Sequence, residues 1–99
     1  METPMPIQSY QDLEVWRKAV DLVEQVYHVT KTFPREEIYG LTSQMRRAAT
    51  SVPANIAEGW ARRRTREFLQ FLNIAARSLH RIQALSRQLL NLQRSLKQT

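Results

Sequence analysis

Apolar residues recur every three or four positions from Tyr10 to Phe33, which predicts an amphipathic helix over this stretch. Ser9 is a typical helix N-cap, and Asp12 follows it in the first turn. At ~100° per residue, the apolar positions form two seams about 110° apart. The first seam consists of Leu13, Trp16, Val20, Val23, Tyr27 and Thr30, and the second of Val15, Ala19, Leu22, Val26, Val29 and Phe33.

Two apolar seams on one helix require two packing neighbours, since an antiparallel neighbour in a small bundle covers only one. A chain of 99 residues offers few helices for this purpose. We therefore expect copies of the chain to associate through the second seam. The predicted oligomer interface is Val15, Ala19, Leu22, Val26, Val29 and Phe33.

A second helix is predicted from Arg35 to Trp60, with Glu36 and Glu37 in its first turn, where carboxylates favour the helix dipole. Small residues are frequent along it and permit close approach by a neighbouring helix. Pro53 falls inside the pattern and removes one backbone hydrogen bond, so we expect a kink there.

A third helix is predicted from Thr65 onward, because apolar residues recur with heptad spacing from Phe68 to Leu96. Since neither glycine nor proline follows Gly59, this reads as one helix of about 30 residues, near 45 Å long. Such a helix either overhangs the first two or turns back near residues 80–84.

These patterns predict an all-α protein, an antiparallel up-down helical bundle. We expect a flexible N-terminal tail at residues 1–9, followed by a single helical-bundle domain at residues 10–99. The tail contains two prolines and no apolar run, so it does not resemble a signal peptide, and no stretch approaches the ~20 apolar residues of a membrane span. The chain also has no cysteine. A soluble, cytoplasmic protein without membrane contact is expected.

The net charge of +6 is concentrated near the C-terminus. Residues 1–61 carry six basic side chains against eight acidic ones, whereas residues 62–99 carry nine basic side chains against Glu67 alone. This asymmetry indicates a polyanionic partner, although a solvated face that aids solubility is the plain alternative. RNA or another nucleic acid is the partner that we expect.

The densest basic cluster follows Trp60, where four of the five residues 62–66 are arginines that can bind phosphates bidentately. Trp60 itself could stack on a base or plug the end of the bundle. On the third helix, Arg66, Arg77 and Arg81 fall on one face. The predicted nucleic-acid-binding residues are Arg46, Arg47, Arg62, Arg63, Arg64, Arg66, Arg77, Arg81, Arg87 and Arg94.

Catalytic chemistry has little support in the sequence. His28 and His80 stand alone, without the partners that a zinc site requires. Glu58 lies among small residues, where a carboxylate paired with an arginine is favoured over a catalytic acid. The chain has no nucleophile–histidine–acid signature and no phosphate-binding glycine loop. We therefore expect a protein that is not an enzyme and uses no metal or cofactor.

Several of these segments, taken in order, resemble one known family. They are Tyr10–Trp16, Phe33–Pro34, Tyr39–Ala49, Ser51–Gly59 and Glu67–Leu72. The chain resembles the four-helix-bundle proteins encoded in intervening sequences of bacterial 23S ribosomal RNA genes. The resemblance extends to the accessory variability proteins of diversity-generating retroelements.

The resemblance implies an up-down bundle that assembles into a homopentameric barrel. In the retroelement branch it further implies a basic oligomer that binds nucleic acid and partners a reverse transcriptase. The chain departs from the family pattern at residues 79–99, which contain neither an acid nor the glycine loop that usually precedes a fourth helix. We therefore expect a long third helix, or one fused with a shortened fourth. A structural protein-interaction scaffold without nucleic-acid binding is the alternative function.

Overall fold

The computed structural model describes residues 8–97, apart from the side chains of residues 37–39 and 96. Three α-helices span most of this part of the chain: α1 at Glu14–Thr30, α2 at Ser43–Ala61 and α3 at Thr65–Lys97. The described residues contain no strand, so the all-α prediction is confirmed. The predicted flexible tail lies outside the described residues as far as residue 7.

The first helix starts later than the sequence predicts, because the capping signal at Ser9 belongs to a separate turn. Ser9 caps a 3₁₀ turn at Tyr10–Asp12, and the Gln11 amide donates to its hydroxyl over 3.3 Å. The Asp12 carboxylate accepts from the Ser9 amide in return, which completes a capping box. Leu13 is extended (φ −75°, ψ 127°), so α1 begins only at Glu14.

The predicted start of the second helix at Arg35 is wrong. A 3₁₀ turn occupies Arg35–Glu37 and a single π turn follows at Ile38–Thr42, before α2 begins at Ser43. Gly40 causes the break, because its backbone (φ −110°, ψ −107°) lies outside the helical region. Apolar spacing alone does not reveal such a break.

Helix α2 continues through Pro53 from Ser43 to Ala61. Proline has no amide hydrogen, so the carbonyl of Ala49 loses its usual donor. Nearby side chains bond to other carbonyls: the Ser51 hydroxyl donates to the Ala48 carbonyl over 2.8 Å and the Asn55 amide to the Ser51 carbonyl over 2.7 Å.

Helices α2 and α3 are antiparallel. Residues later in α3 contact residues earlier in α2. Gly59 lies against Phe71, and the hydroxyls of Ser51 and Ser78 are hydrogen-bonded further along the pair. Helix α1 packs on α2, and all three helices contribute to one core. The buried core residues are Ala19, Val26, Leu41, Met45, Ala48, Ala49, Val52, Ile56, Ala75, Ile82 and Leu85.

Helix α3 is far longer than its neighbours and does not turn back near residues 80–84. Its 33 residues extend about 50 Å, whereas the 17 residues of α1 extend about 25 Å. The molecule is elongated and measures 65 × 21 × 20 Å. The expectation of a long third helix is confirmed. Within residues 8–97, every helix is either too short or too polar to span a lipid bilayer.

The second seam of α1 is divided between the chain's own core and the surface. Ala19 and Val26 are 5% and 6% exposed and pack inside the chain, so they are not available to a partner. Val15 and Val29 remain 50% and 45% exposed. The two remaining members of the predicted interface, Leu22 and Phe33, are half-buried against the core.

Candidate nucleic-acid interface

Arg46 is part of the packing between α1 and α2. Its Nε donates to the hydroxyl of buried Thr30 over 2.8 Å, and its guanidinium lies 4.4 Å from the centre of the Tyr27 ring. The Thr30 hydroxyl donates in turn to the Val26 carbonyl over 2.8 Å. Arg46 is half-buried by these contacts, so its position serves the fold and does not present its charge to a phosphate.

Arg62 is also engaged within the chain. Its guanidinium forms an ion pair with Glu58 at 2.8 Å and lies 5.1 Å from the centre of the Phe71 ring. The two residues of the pair are one helical turn apart, and both are exposed. Glu58 is therefore a surface carboxylate with an arginine partner, and Arg62 contributes less free charge than its position in the arginine cluster suggests.

The corner between α2 and α3 presents the next two arginines to solvent. Helix α2 ends at Ala61, and Arg63 then adopts the left-handed conformation (φ 63°) that usually selects glycine after a helix. The carbonyl of Arg64 accepts the first backbone bond of α3, from the Phe68 amide over 2.9 Å. Both arginine side chains are exposed as a result of this tight turn.

A pocket of about 220 Å³ opens at this corner. The indole of Trp60 and the ring of Phe68 meet edge to face, with centroids 5.9 Å apart and an interplanar angle of 77°. Trp60 is half-buried, so part of it packs and part remains accessible to the pocket. The pocket is lined by Gly59, Trp60, Arg63, Arg64, Thr65 and Phe68.

Along α3, the predicted polar face is open to solvent. Arg66, Arg77 and Arg81 are all exposed, as are Gln70 and Asn73 between them. At ~100° per residue these five positions fall within about 80° of one another. The face therefore presents three guanidiniums with polar, uncharged side chains between them.

A second recess, of about 190 Å³, lies between α2 and α3 and extends this face onto α2. Arg47 and Arg81 reach it from the two helices, and the Ser51 and Ser78 hydroxyls also line it. The Arg81 guanidinium lies 3.5 Å from the side-chain oxygen of Gln44, at the limit of a hydrogen bond. The recess thus has two cationic groups and several neutral hydrogen-bonding groups.

Arg87 and Arg94 are exposed but do not share this face. They lie about 80–100° around the helix from Arg77 at ~100° per residue. The ten predicted binding residues therefore separate into groups. Arg47, Arg63, Arg64, Arg66, Arg77 and Arg81 border the α2–α3 surface, Arg46 and Arg62 are engaged internally, and Arg87 and Arg94 lie on another side of α3.

The exposed arginines of α3 have no acidic partners. In the part of the chain that the structure describes, ion pairs join Arg17 to Asp12, Lys18 to Glu14 and Arg62 to Glu58, and none involves a residue of α3. No carboxylate follows Glu67 in the sequence. We call the exposed set Arg63, Arg64, Arg66, Arg77 and Arg81 the arginine face.

A set of exposed leucines on α3 is a feature that the sequence analysis did not separate from the apolar stripe. Leu69, Leu79 and Leu90 are 55%, 42% and 52% exposed. Leu79 and Leu90 are 11 residues apart, about three helical turns, so they lie within about 20° of one another, and Leu69 lies about 60–80° around the helix from them. The apolar stripe of α3 was the available signal, but apolar spacing does not show which leucines face the core.

Among the described residues, no group of three or more His, Asp or Glu side chains lies close enough together to hold a metal ion. The two histidines, His28 and His80, are both exposed. Glu58, the carboxylate singled out from the sequence, pairs with Arg62 at the surface.

The fold and the surface together define a class of protein: it is elongated and all-helical, its described residues form three α-helices, and the longest of these presents a basic face. The chain belongs to the 23S rRNA-intervening sequence protein family, whose model matches residues 11–97. Comparison with curated proteins finds none that matches the chain.

Proposed function

We propose that the protein binds RNA through the arginine face and does so as a homo-oligomer without enzymatic activity. The observation that supports the proposal is the set of exposed guanidiniums that form no ion pair with any described carboxylate. Guanidiniums bind phosphate oxygens bidentately, and each phosphate that is neutralised releases counterions from the nucleic acid. The face contains no motif that reads bases in a groove, so recognition rests on the backbone and on shape.

The proposal predicts that affinity for a structured RNA falls steeply as salt rises. Fluorescence anisotropy over a range of salt concentrations gives the slope of log K against log salt concentration. Each phosphate contact contributes about −0.7 to −0.9 to that slope. Contacts from several arginines therefore predict a slope of roughly −3 or steeper, whereas an affinity that does not depend on salt would contradict the proposal.

Self-association is the second part of the proposal. Large apolar side chains that remain exposed can contribute to a protein interface. Leu69, Leu79 and Leu90 are exposed on α3, and Leu79 lies almost midway between the other two along the sequence. An antiparallel pairing of two α3 helices would bring Leu69 of each copy near Leu90 of the other, as a two-fold interface requires.

Light scattering on the eluting protein measures this association. We expect a mass that is a multiple of the 11.7 kDa chain. Leu79→Gln should shift the protein toward monomer, whereas Ile74→Gln, at an exposed apolar position on another side of α3, should leave the assembly intact. Loss of assembly in a third variant, Val15→Gln, and not in Leu79→Gln would assign the interface to the exposed part of the α1 seam, and a monomeric wild-type protein at micromolar concentration would contradict self-association.

We further propose a reverse transcriptase as a partner, in the manner of the retroelement accessory proteins that the sequence resembles. A basic oligomer that binds RNA would hold a template near such an enzyme, and repeated arginine faces would raise the overall affinity through multivalency. Co-purification of the chain with a reverse transcriptase encoded beside it tests this proposal. Retention only in the presence of RNA would show that the RNA bridges the two.

A protein-interaction scaffold is the second candidate function, and the set of exposed leucines on α3 is the observation that favours it. In that case the arginine face would bind an acidic protein surface instead of RNA. An acidic polypeptide and a structured RNA, each labelled and titrated at the same salt concentration, separate the two functions. Tighter binding of the polypeptide would favour the scaffold.

A further inference from the structure

We infer that the pocket at the α2–α3 corner binds one unpaired nucleotide, with its base against Trp60 and its phosphate on Arg63 and Arg64. This inference rests on the proposed function and makes it more specific. It predicts that the protein prefers single-stranded RNA, such as loops, bulges and ends, over a continuous duplex.

The aromatic side of the pocket provides the surface for a base. Trp60 and Phe68 pack edge to face, with centroids 5.9 Å apart, and both border the pocket. The contact with Phe68 holds the indole in place before any ligand arrives. Part of the indole remains accessible to solvent, and a flat aromatic surface of this kind stacks on any base.

The cationic side of the pocket provides the phosphate contacts. Arg63 and Arg64 line the pocket, and neither forms an ion pair with a side chain that the structure describes, in contrast to Arg62 immediately before them. The first backbone bond of α3 runs from the Phe68 amide to the Arg64 carbonyl. The amides of residues 65–67 therefore precede the helical ladder and add donors beside the two guanidiniums.

The size of the pocket suits a ligand of about one base. Its volume of about 220 Å³ lies below the ~300 Å³ at which sites for drug-sized molecules begin. A base inside a duplex is stacked on both faces and paired along its edge, so it cannot enter. An unpaired base can be turned outward and stacked on an aromatic side chain, which is the usual mode of single-stranded RNA recognition.

The fluorescence of Trp60 reports directly on this site. The chain contains two tryptophans, so Trp16→Phe leaves Trp60 as the only indole. Trp16 packs edge to face on Tyr10, and phenylalanine keeps an aromatic ring there. We expect a short uridine homopolymer to quench Trp60 fluorescence to saturation. An RNA duplex of the same length should quench it weakly, and inorganic phosphate should leave it unchanged.

Two variants of the binding residues provide a second test. Trp60→Leu should lower affinity for the uridine homopolymer by roughly 5- to 100-fold, the range that stacking of one base supports, and should leave duplex affinity unchanged. Arg63→Gly removes a guanidinium at a backbone position (φ 63°) that suits glycine, so the fold is preserved while affinity for both RNAs falls. Helical circular dichroism confirms that each variant is folded.

The outcomes distinguish this inference from the proposed function. Salt-dependent binding of single strand and duplex with equal affinity, and without quenching of Trp60, would overturn the inference and leave the proposed function standing. Absence of salt-dependent binding to either RNA would overturn both. Preferential, quenching binding of the single strand that is lost in Trp60→Leu supports both.

Discussion

Two arginines, Arg46 on α2 and Arg77 on α3, show how differently one residue type is used in the two parts of this molecule. Arg46 is half-buried, bonds to the Thr30 hydroxyl at 2.8 Å and lies over the Tyr27 ring. Arg77 is exposed on a helix where no ion pair is found within the described residues. The two side chains contribute equally to the net charge. Arg46 contributes to the packing of the fold, whereas Arg77 is exposed and available to a partner.

The same contrast holds between the two halves of the chain. Through residue 62, three of the seven basic side chains form ion pairs among the described residues: Arg17 with Asp12, Lys18 with Glu14, and Arg62 with Glu58. Exposed pairs of this kind each contribute little to stability. They nevertheless neutralise the field of the first two helices, so the positive potential of the molecule is concentrated on α3 and at the corner before it.

The largest expected effect concerns the corner that carries Arg63 and Arg64. A Cβ on Gly59 would lie 2.7 Å from Phe71 Cβ and 2.9 Å from a Phe68 ring carbon, so Gly59→Ala should force α2 and α3 apart. Helix propensity alone would favour alanine by about 1 kcal/mol. We expect a net loss of about 1–3 kcal/mol in the free energy of unfolding, because overpacking outweighs that preference.

Urea unfolding followed by circular dichroism measures this loss. Ala54→Ser, at an exposed position of the same helix, is the matched control and should change the free energy of unfolding by less than about 0.5 kcal/mol. If Gly59→Ala stabilised the protein, the close approach of the two helices at the corner would be refuted.

Substitution of the two compared arginines is expected to have the next largest effect. Arg46→Ala should lower the free energy of unfolding by about 1–3 kcal/mol, because it removes a charged donor from a buried hydroxyl together with a cation–π contact. Arg77→Ala should change it by less than about 0.5 kcal/mol. After correction for the folded fraction, Arg77→Ala should lower RNA affinity more than Arg46→Ala does.

Thermal unfolding and RNA binding on both variants give the complete comparison. If Arg46→Ala lowered the free energy of unfolding no more than Arg77→Ala does, Arg46 would not be a packing residue. A larger loss of RNA affinity in folded Arg46→Ala than in Arg77→Ala would remove the distinction between the two regions.

A smaller effect is expected at Thr42, the residue before α2. Its hydroxyl is buried without a hydrogen-bond partner, unlike the other buried polar side-chain atoms of the described residues. Thr42→Val removes the unsatisfied group and keeps the branched shape, so we expect the free energy of unfolding to rise by up to about 1 kcal/mol. Differential scanning calorimetry should show a higher Tm, whereas a clear decrease would indicate that the hydroxyl does bond to a partner.

Much of this architecture follows from sequence pattern. The lack of glycine and proline after Gly59 predicted the unbroken α3, and the 100° rotation per residue placed Arg66, Arg77 and Arg81 together. The start of α2 was missed, because Gly40 interrupts the helix through a backbone conformation that apolar spacing does not encode.

Contacts between helices were harder to foresee. Tyr27 and Thr30 were recognised as members of one α1 seam, yet their contact with Arg46 depends on the register between α1 and α2. The apolar spacing predicts Ala19 and Val26 in an oligomer interface, but the register between the helices directs them into the core. The pocket at Trp60 likewise depends on the turn at Arg63, where an arginine occupies a position that glycine usually fills.

The salt dependence of RNA binding by two charge-matched variants tests most directly whether the arginine face is the binding surface. One variant is Arg66→Gln/Arg77→Gln/Arg81→Gln on α3, and the other is Arg17→Gln/Lys18→Gln/Lys31→Gln on and beside α1. Both remove three positive charges. We expect the slope of log K against log salt concentration to become shallower by about 2–3 in the α3 variant and to stay unchanged in the α1 variant. An equal change in both slopes would show that net charge, and not the arginine face, determines binding.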